Sequence, residues 1–255
     1  MKNTRSAAAA LLAALLAACG GNTGNDTAAP ANATAADVDW PLTGGDYAEQ
    51  RFSPLTQIDK SNVGTLGLAW QGDLDSTRGI EATPIMMNGT LYVTSTWSRV
   101  LAFDAVTGAK KWTYDPQVPR GIARTFCCDV VNRGVAVAEG KVFVGTLDGR
   151  LVALAADSGA PVWTVDTVAD KSKPYSITGA PRVVNNMVLI GNGGADRGVR
   201  GYLTAYDIDT GRELWRFWVV PKGPDAPPEN DDVARALETW PNDDIWTDVG
   251  GGTPW

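Results

Sequence analysis

From residue 82 to residue 215 the apolar positions come in short alternating runs, each closed by a turn signal containing Gly, Asn or Asp. Period-two runs of this kind mark strands rather than helices. Three pairs of runs predict a first and a second strand: Ala82–Asn88 with Leu91–Ser95, Val135–Glu139 with Val142–Thr146, and Pro181–Asn185 with Met187–Gly191. A shared motif follows each pair, LAFDAVTGAKKW from Leu101 to Trp112, LVALAADSGAPVW from Leu151 to Trp163 and LTAYDIDTGRELW from Leu203 to Trp215. Its glycines, Gly108, Gly159 and Gly211, lie 51 and 52 residues apart, and each precedes a Trp by four residues. The motif reads as a hairpin in which Asp or Ser ahead of the Gly makes the turn and the Trp opens an outer strand. Four strands in a repeat of about fifty residues describe a propeller blade or a related array, so the fold class is all-β. Helix is expected only in short stretches near Gln57–Leu66 and Asp231–Glu238.

The repeat also accounts for an unusual composition of 10 Trp and 28 Gly, since an indole at one place in every blade can dock between neighbouring blades. Aligning the first strands puts Pro84, Val135 and Pro181 in register, and therefore Glu81, Asn132 and Thr178 at one equivalent position. Innermost strands of a propeller start around the central channel, so this polar trio reads either as a ligand mouth or as ordinary strand ends facing water. The third repeat differs in length. From its first turn to its motif it needs 17 residues, Asn186 to Leu203, where the others need 12 (Gly89 to Leu101) and 11 (Gly140 to Leu151). The extra residues are Gly193-Gly194-Ala195-Asp196-Arg197-Gly198, a loop that lets backbone approach a ligand and offers an Asp oxygen to a hard cation, or is simply a turn.

Net charge narrows the function. At −7, with 22 Lys and Arg against 29 Asp and Glu, the chain lacks the cationic surface that nucleic-acid binding needs. It has no histidine, which removes Ser/His/Asp catalysis, His-based zinc sites and CxxCH haem attachment from these residues. The N-terminus carries Lys2 and Arg5, an apolar run from Ala7 to Ala18, and Cys19. That run is too short for a membrane span and reads as a signal peptide over residues 1–19. Leu16-Ala17-Ala18-Cys19 also resembles a bacterial lipobox, which would lipidate Cys19 and place the protein in the periplasm on a membrane anchor; the alternative is an ordinary cleaved signal. Residues 20–37 form a polar tether, and 38–255 the propeller segment. Cys127 and Cys128 are adjacent and, once exported, can form only a strained eight-membered ring or remain two thiols.

Taken together, these motifs resemble the eight-bladed quinoprotein alcohol dehydrogenases of the methanol and ethanol dehydrogenase group. Arg78 to Pro84 (RGIEATP), Cys127 to Gly134 (CCDVVNRG), Gly191 to Gly201 (GNGGADRGVRG) and Gly250 to Trp255 (GGGTPW) occur in that family's order, from about Trp40 onward. The resemblance implies that Cys127 and Cys128 form a vicinal disulfide on one face of pyrroloquinoline quinone, with Trp255 against the other. It implies hydrogen bonds to the quinone from Glu81, Arg133 and Thr178 and from the backbone or side chains around Gly193, Gly194 and Ala195. Asp196 stands where the family has a Glu on the calcium (or lanthanide) ion; its shorter reach puts bidentate ligation in question while keeping a carboxylate. The implied reaction is oxidation of a primary alcohol by hydride transfer to the quinone, with the cation as Lewis acid and a cytochrome c as electron acceptor. No catalytic residue of that scheme falls within the chain.

About half an eight-bladed ring is expected here, with the base and a second cation ligand beyond Trp255, so these 255 residues alone are expected to be inactive. A C-terminal haem c domain is a further expectation of the ethanol-type group. The rival readings are a non-catalytic propeller lipoprotein that scaffolds outer-membrane assembly, and a quinoprotein acting on a sugar, an aldehyde or a polymeric alcohol.

Overall fold

The computed structural model describes residues 39–126, 128–223, 226–239 and 250–254. The leader with Cys19, the tether, Cys127 and Trp255 therefore lie outside the described residues. Among the described residues twelve strands make three antiparallel four-stranded sheets, each in simple sequence order. The first sheet holds β1 (Ile85–Met87), β2 (Thr90–Thr94), β3 (Val100–Asp104) and β4 (Lys110–Tyr114). The second holds β5 (Ala136–Ala138), β6 (Lys141–Gly145), β7 (Arg150–Ala155) and β8 (Pro161–Asp166). The third holds β9 (Arg182–Val184), β10 (Met187–Ile190), β11 (Tyr202–Asp207) and β12 (Glu213–Trp218). The four-strand repeat is as the periodicity predicts.

First strands are shorter than expected, and the difference has a cause. Pro84 and Pro181 have no N–H for a ladder. The residues ahead of these strands instead bond sideways to the neighbouring repeat: Thr83 N–H donates to Arg133 O at 3.2 Å, and Arg133 N–H to Thr178 O at 2.9 Å. Helix is likewise reduced to a 3-10 turn at Val63–Thr65, while α1 (Asp231–Leu237) forms behind an Asn230 cap that accepts from Val233 N–H at 3.0 Å. In the 57–66 stretch the Asp59 carboxylate accepts from Ser61 N–H and Oγ–H, a local turn that competes with helix.

The blades pack face to face, and the core lies between them. Ile85, Tyr92, Val100, Ala102 and Trp112 of the first blade meet Val135, Val137, Val142, Val144, Val152 and Leu154 of the second. Ala136, Phe143, Leu151 and Ala153 meet Ile177, Val188, Ile190, Tyr206 and Ile208 on its other side. The middle blade thus buries both faces, and β6 is almost wholly buried.

Tryptophan docking takes a specific form. Trp112 donates its indole N–H to Ala156 O at 3.0 Å, and Trp163 to Ile208 O at 3.1 Å, each in the next repeat's turn. Trp70 does the same to Ala105 O at 3.1 Å. The turn glycines lie flat on those rings: a β-carbon at Gly108, Gly159 or Gly211 would fall 2.6, 2.6 and 2.8 Å from Trp70, Trp112 and Trp163. All three have φ near +70°, so glycine is required twice over, by conformation and by contact. Each sheet also carries a bulge beside the Ala that faces its Trp, at Ala102, Ala153 and Ala205. Trp215 is 40 % exposed, with no turn glycine over it among the described residues.

One detail of the predicted turn changes. The organising carboxylate stands four residues before the Gly: Asp104 Oδ1 accepts from Val106 N–H, Thr107 N–H and Thr107 Oγ–H, and Asp207 repeats this with Asp209 and Thr210. These bonds hold both carboxyls below the ordinary aspartate value. The second repeat has Ala155 there and does without.

Candidate functional site

Where the inner strands begin, Glu81, Arg133 and Thr178 converge. The lateral backbone bonds set Arg133 between the other two, and its side chain completes the link: Nη2 lies 2.8 Å from Glu81 Oε2 and Nη1 donates to Thr178 Oγ1 at 2.7 Å. Thr178 is 2 % exposed. Arg133 and Glu81 also line a cleft of about 470 Å³, with Thr83, Gly179, Arg182 and Asn192 among its other walls. Ile177, Leu189, Ile190, Leu203 and Pro254 make much of the rest of the wall apolar, so the cleft is an apolar pocket with a guanidinium and a carboxylate at its rim and the Thr178 hydroxyl buried behind Arg133, which favours the ligand reading over bare strand ends.

Asn132 corrects the register argument. It occupies the predicted position, yet its side chain points into the protein, is 1 % exposed and bonds only to protein groups. The next residue, Arg133, faces the mouth instead. A strict equivalence of Glu81, Asn132 and Thr178 misses this because Asn132 spends its side chain inward on Ser98, Gly145 and Gly134. Arg182, the first residue of β9, also lines the cleft, and its guanidinium pairs with Glu49 at 3.2 Å.

The inserted glycine loop joins the mouth through Ser176, two residues before Thr178. Gly193 N–H donates to Ser176 O at 2.7 Å. A β-carbon at Gly194 would meet Pro174 O at 2.9 Å in a backbone of φ 111°, so glycine is required there, whereas one at Gly193 would crowd Ser176 Oγ at 3.1 Å, which a small shift of that side chain relieves. Ala195, Asp196 and Arg197 form a 3-10 turn flanked by Gly194 and Gly198, both left-handed. Asp196 is exposed there. Among the described residues no group of three or more His, Cys, Asp or Glu side chains could hold a metal ion.

Cys128 is half-buried, and its neighbours tie down the segment that leads to Arg133. Asp129 pairs with Arg78 at 2.5 Å, and Val130 O accepts from Trp97 N–H at 2.9 Å. The structure brings Glu81, Arg133 and Thr178 together directly, and Gly193 through Ser176.

A protein-family model described as "Glucose/ethanol/alcohol dehydrogenase, beta-propeller domain" (PQQ) matches residues 40–249. The chain is 55 % identical over 232 residues to the quinohemoprotein alcohol dehydrogenase ADH IIB of Pseudomonas putida, covering 91 % of the chain and 34 % of that protein. It is 54 % identical to the 1-butanol dehydrogenase (cytochrome c) of Thauera butanivorans, covering 81 % of the chain and 30 % of that protein. The crystal structure of the quinohemoprotein alcohol dehydrogenase of Comamonas testosteroni superposes with a TM-score of 0.82 at 52 % identity, over 87 % of the chain and 33 % of that structure. The chain spans about a third of the length of these relatives.

Proposed function

The chain belongs to the β-propeller family of the glucose, ethanol and alcohol dehydrogenases, and from that premise we propose that it supplies the quinone-binding mouth of a pyrroloquinoline quinone-dependent alcohol dehydrogenase. The observation that carries this is Arg133, fixed between Glu81 and Thr178 where three inner strands begin. Pyrroloquinoline quinone is a planar tricarboxylate, and a guanidinium beside a hydroxyl suits carboxylate recognition by charge-assisted hydrogen bonds. In this reading Arg133 and Thr178 bind the polar edge of the quinone, Glu81 sets the guanidinium's direction, and the Gly193-Gly194-Ala195 backbone bounds the site. Cys127 and Cys128 cover one face as a vicinal disulfide, a pairing supported by Cys128 being disulfide-bonded. Trp255 covers the other. Asp196 gives one carboxylate to a calcium or lanthanide ion.

When bound, the quinone would accept hydride from a primary alcohol with its carbonyl polarised by the cation, and the electrons would leave to a cytochrome c or to a haem c domain of the same protein. The acceptor is supported by the words "cytochrome c" and "quinohemoprotein" in the relatives' names. In this reading the chain's own residues bind and orient the quinone. A periplasmic location with a lipid on Cys19 belongs to the same proposal and rests on Leu16-Ala17-Ala18-Cys19. We set aside the assembly-scaffold reading because the family match to dehydrogenases runs along residues 40–249.

The test is reconstitution of the complete apoprotein with quinone and calcium, following dye-linked oxidation of primary alcohols. Activity that needs both additions is expected. Alcohol oxidation independent of the quinone, or none with the quinone and either calcium or a lanthanide, would refute the proposal.

A further inference from the structure

Asn132 sits beside the mouth without touching it, and every polar group of its side chain is used. Nδ2 donates to Gly145 O at 2.8 Å and to Ser98 Oγ at 3.2 Å, while Oδ1 accepts from Gly134 N–H at 3.1 Å. Its carbonyl accepts from Thr94 Oγ–H at 3.1 Å. The Oδ1 bond closes an Asx turn whose middle residue is Arg133. The other bonds anchor that turn to the ends of β2 and β6 and to the turn before β3.

Ser98 is itself held in an uncommon state. It and Trp97 have φ of 58° and 64°, left-handed conformations that an L-residue adopts only under strain. The surroundings fix them there. Trp97 N–H donates to Val130 O at 2.9 Å, the Arg120 guanidinium lies 4.0 Å over the Trp97 ring, and Ser98 Oγ accepts from Leu147 N–H at 3.1 Å as well as from Asn132. A strained turn that presents one hydroxyl to two buried donors is over-determined by its contacts, the condition under which such strain persists. The end of this chain of bonds is the backbone at Arg133.

We propose that Asn132 is a positioning residue of the quinone site: seated on Ser98, it locks the Asx turn so that the Arg133 guanidinium stays at the mouth. The inference rests on the quinone-site reading above. A purely structural Asn would stabilise the fold equally whether or not residue 133 is an arginine. A positioning Asn affects quinone binding only through Arg133.

A double-mutant cycle separates the two. Asn132→Ala, Arg133→Ala and the double variant are made in the complete protein, and each apoprotein is titrated with pyrroloquinoline quinone by tryptophan-fluorescence quenching, beside its thermal midpoint. Asn132→Ala should weaken quinone binding about tenfold with Arg133 present and less than about twofold in the Arg133→Ala background, the non-additivity of groups acting in one network. The drop in thermal midpoint should be the same in both backgrounds. Should Asn132→Ala fail to fold, Ser98→Gly serves instead, because Gly keeps the positive φ without strain while deleting the hydroxyl. It should weaken binding about threefold, again only when Arg133 is present. Equal weakening in both backgrounds, or none in either, overturns the positioning role. If Arg133→Ala alone leaves quinone affinity unchanged, the site reading itself fails.

Discussion

Gly140 and Gly159 share a conformation and differ in what they touch. Their φ values are +70° and +71°, but a β-carbon at Gly140 meets nothing within 4 Å, whereas one at Gly159 would sit 2.6 Å from the Trp112 ring. Replacing either by Ala forces an L-residue into the left-handed region, at a cost of about 1–2 kcal/mol. For Gly140→Ala that is the whole effect. Gly159→Ala must also push the indole away, adding about 1–3 kcal/mol for over-packing and about 1 kcal/mol if the Trp112 to Ala156 hydrogen bond, 3.0 Å long, is lost. The expected totals are about 1–2 kcal/mol for Gly140→Ala and about 3–6 kcal/mol for Gly159→Ala with the hydrogen bond lost. Urea unfolding followed by tryptophan fluorescence measures both, and the Gly159 variant should also show an altered native emission spectrum. A Gly159→Ala variant as mild as Gly140→Ala would refute the claim that seating the turn glycine on the preceding repeat's indole holds the blades together.

Ala155→Asp should stabilise by about 0.5–1 kcal/mol, since it restores in the second repeat the turn carboxylate that Asp104 and Asp207 provide in the others; an unchanged urea midpoint would count against that turn's role. Because the Asp104 and Asp207 carboxyls sit below the ordinary value of 3.8, their stabilisation is present at neutral pH and is lost as pH falls through the lowered folded-state value. Asp207→Asn should therefore be less stable than the parent at pH 7, with the gap closing in acid; a gap constant with pH would contradict the linkage. Arg133→Ala removes a charge-assisted donor and should weaken quinone binding by about 1.5–3 kcal/mol, roughly 10- to 150-fold, in equilibrium titration of the apoprotein.

Repeat, blade and docking tryptophan were legible because each is written in a period: strand alternation, the Gly-x-x-x-Trp spacing, and the 51 and 52 residue intervals. Strand starts were not, because Thr83 spends its backbone N–H on Arg133 of the next repeat, a partner that no local pattern reveals. In the site, Glu81, Arg133 and Thr178 were reached from register and resemblance together. Register alone would have chosen Asn132, whose inward bonding depends on Ser98 and Gly145, 34 and 13 residues away. The turn at Trp97 and Ser98 was silent in the sequence, since neither residue favours positive φ and only the contacts around them impose it.

The account turns on where the quinone binds, and a crystal structure of the complete protein with pyrroloquinoline quinone tests this most directly. It should show the quinone at the start of the inner strands, within hydrogen-bonding distance of the Arg133 guanidinium and the Thr178 hydroxyl. A quinone bound elsewhere, out of reach of Arg133 and Thr178, would contradict it.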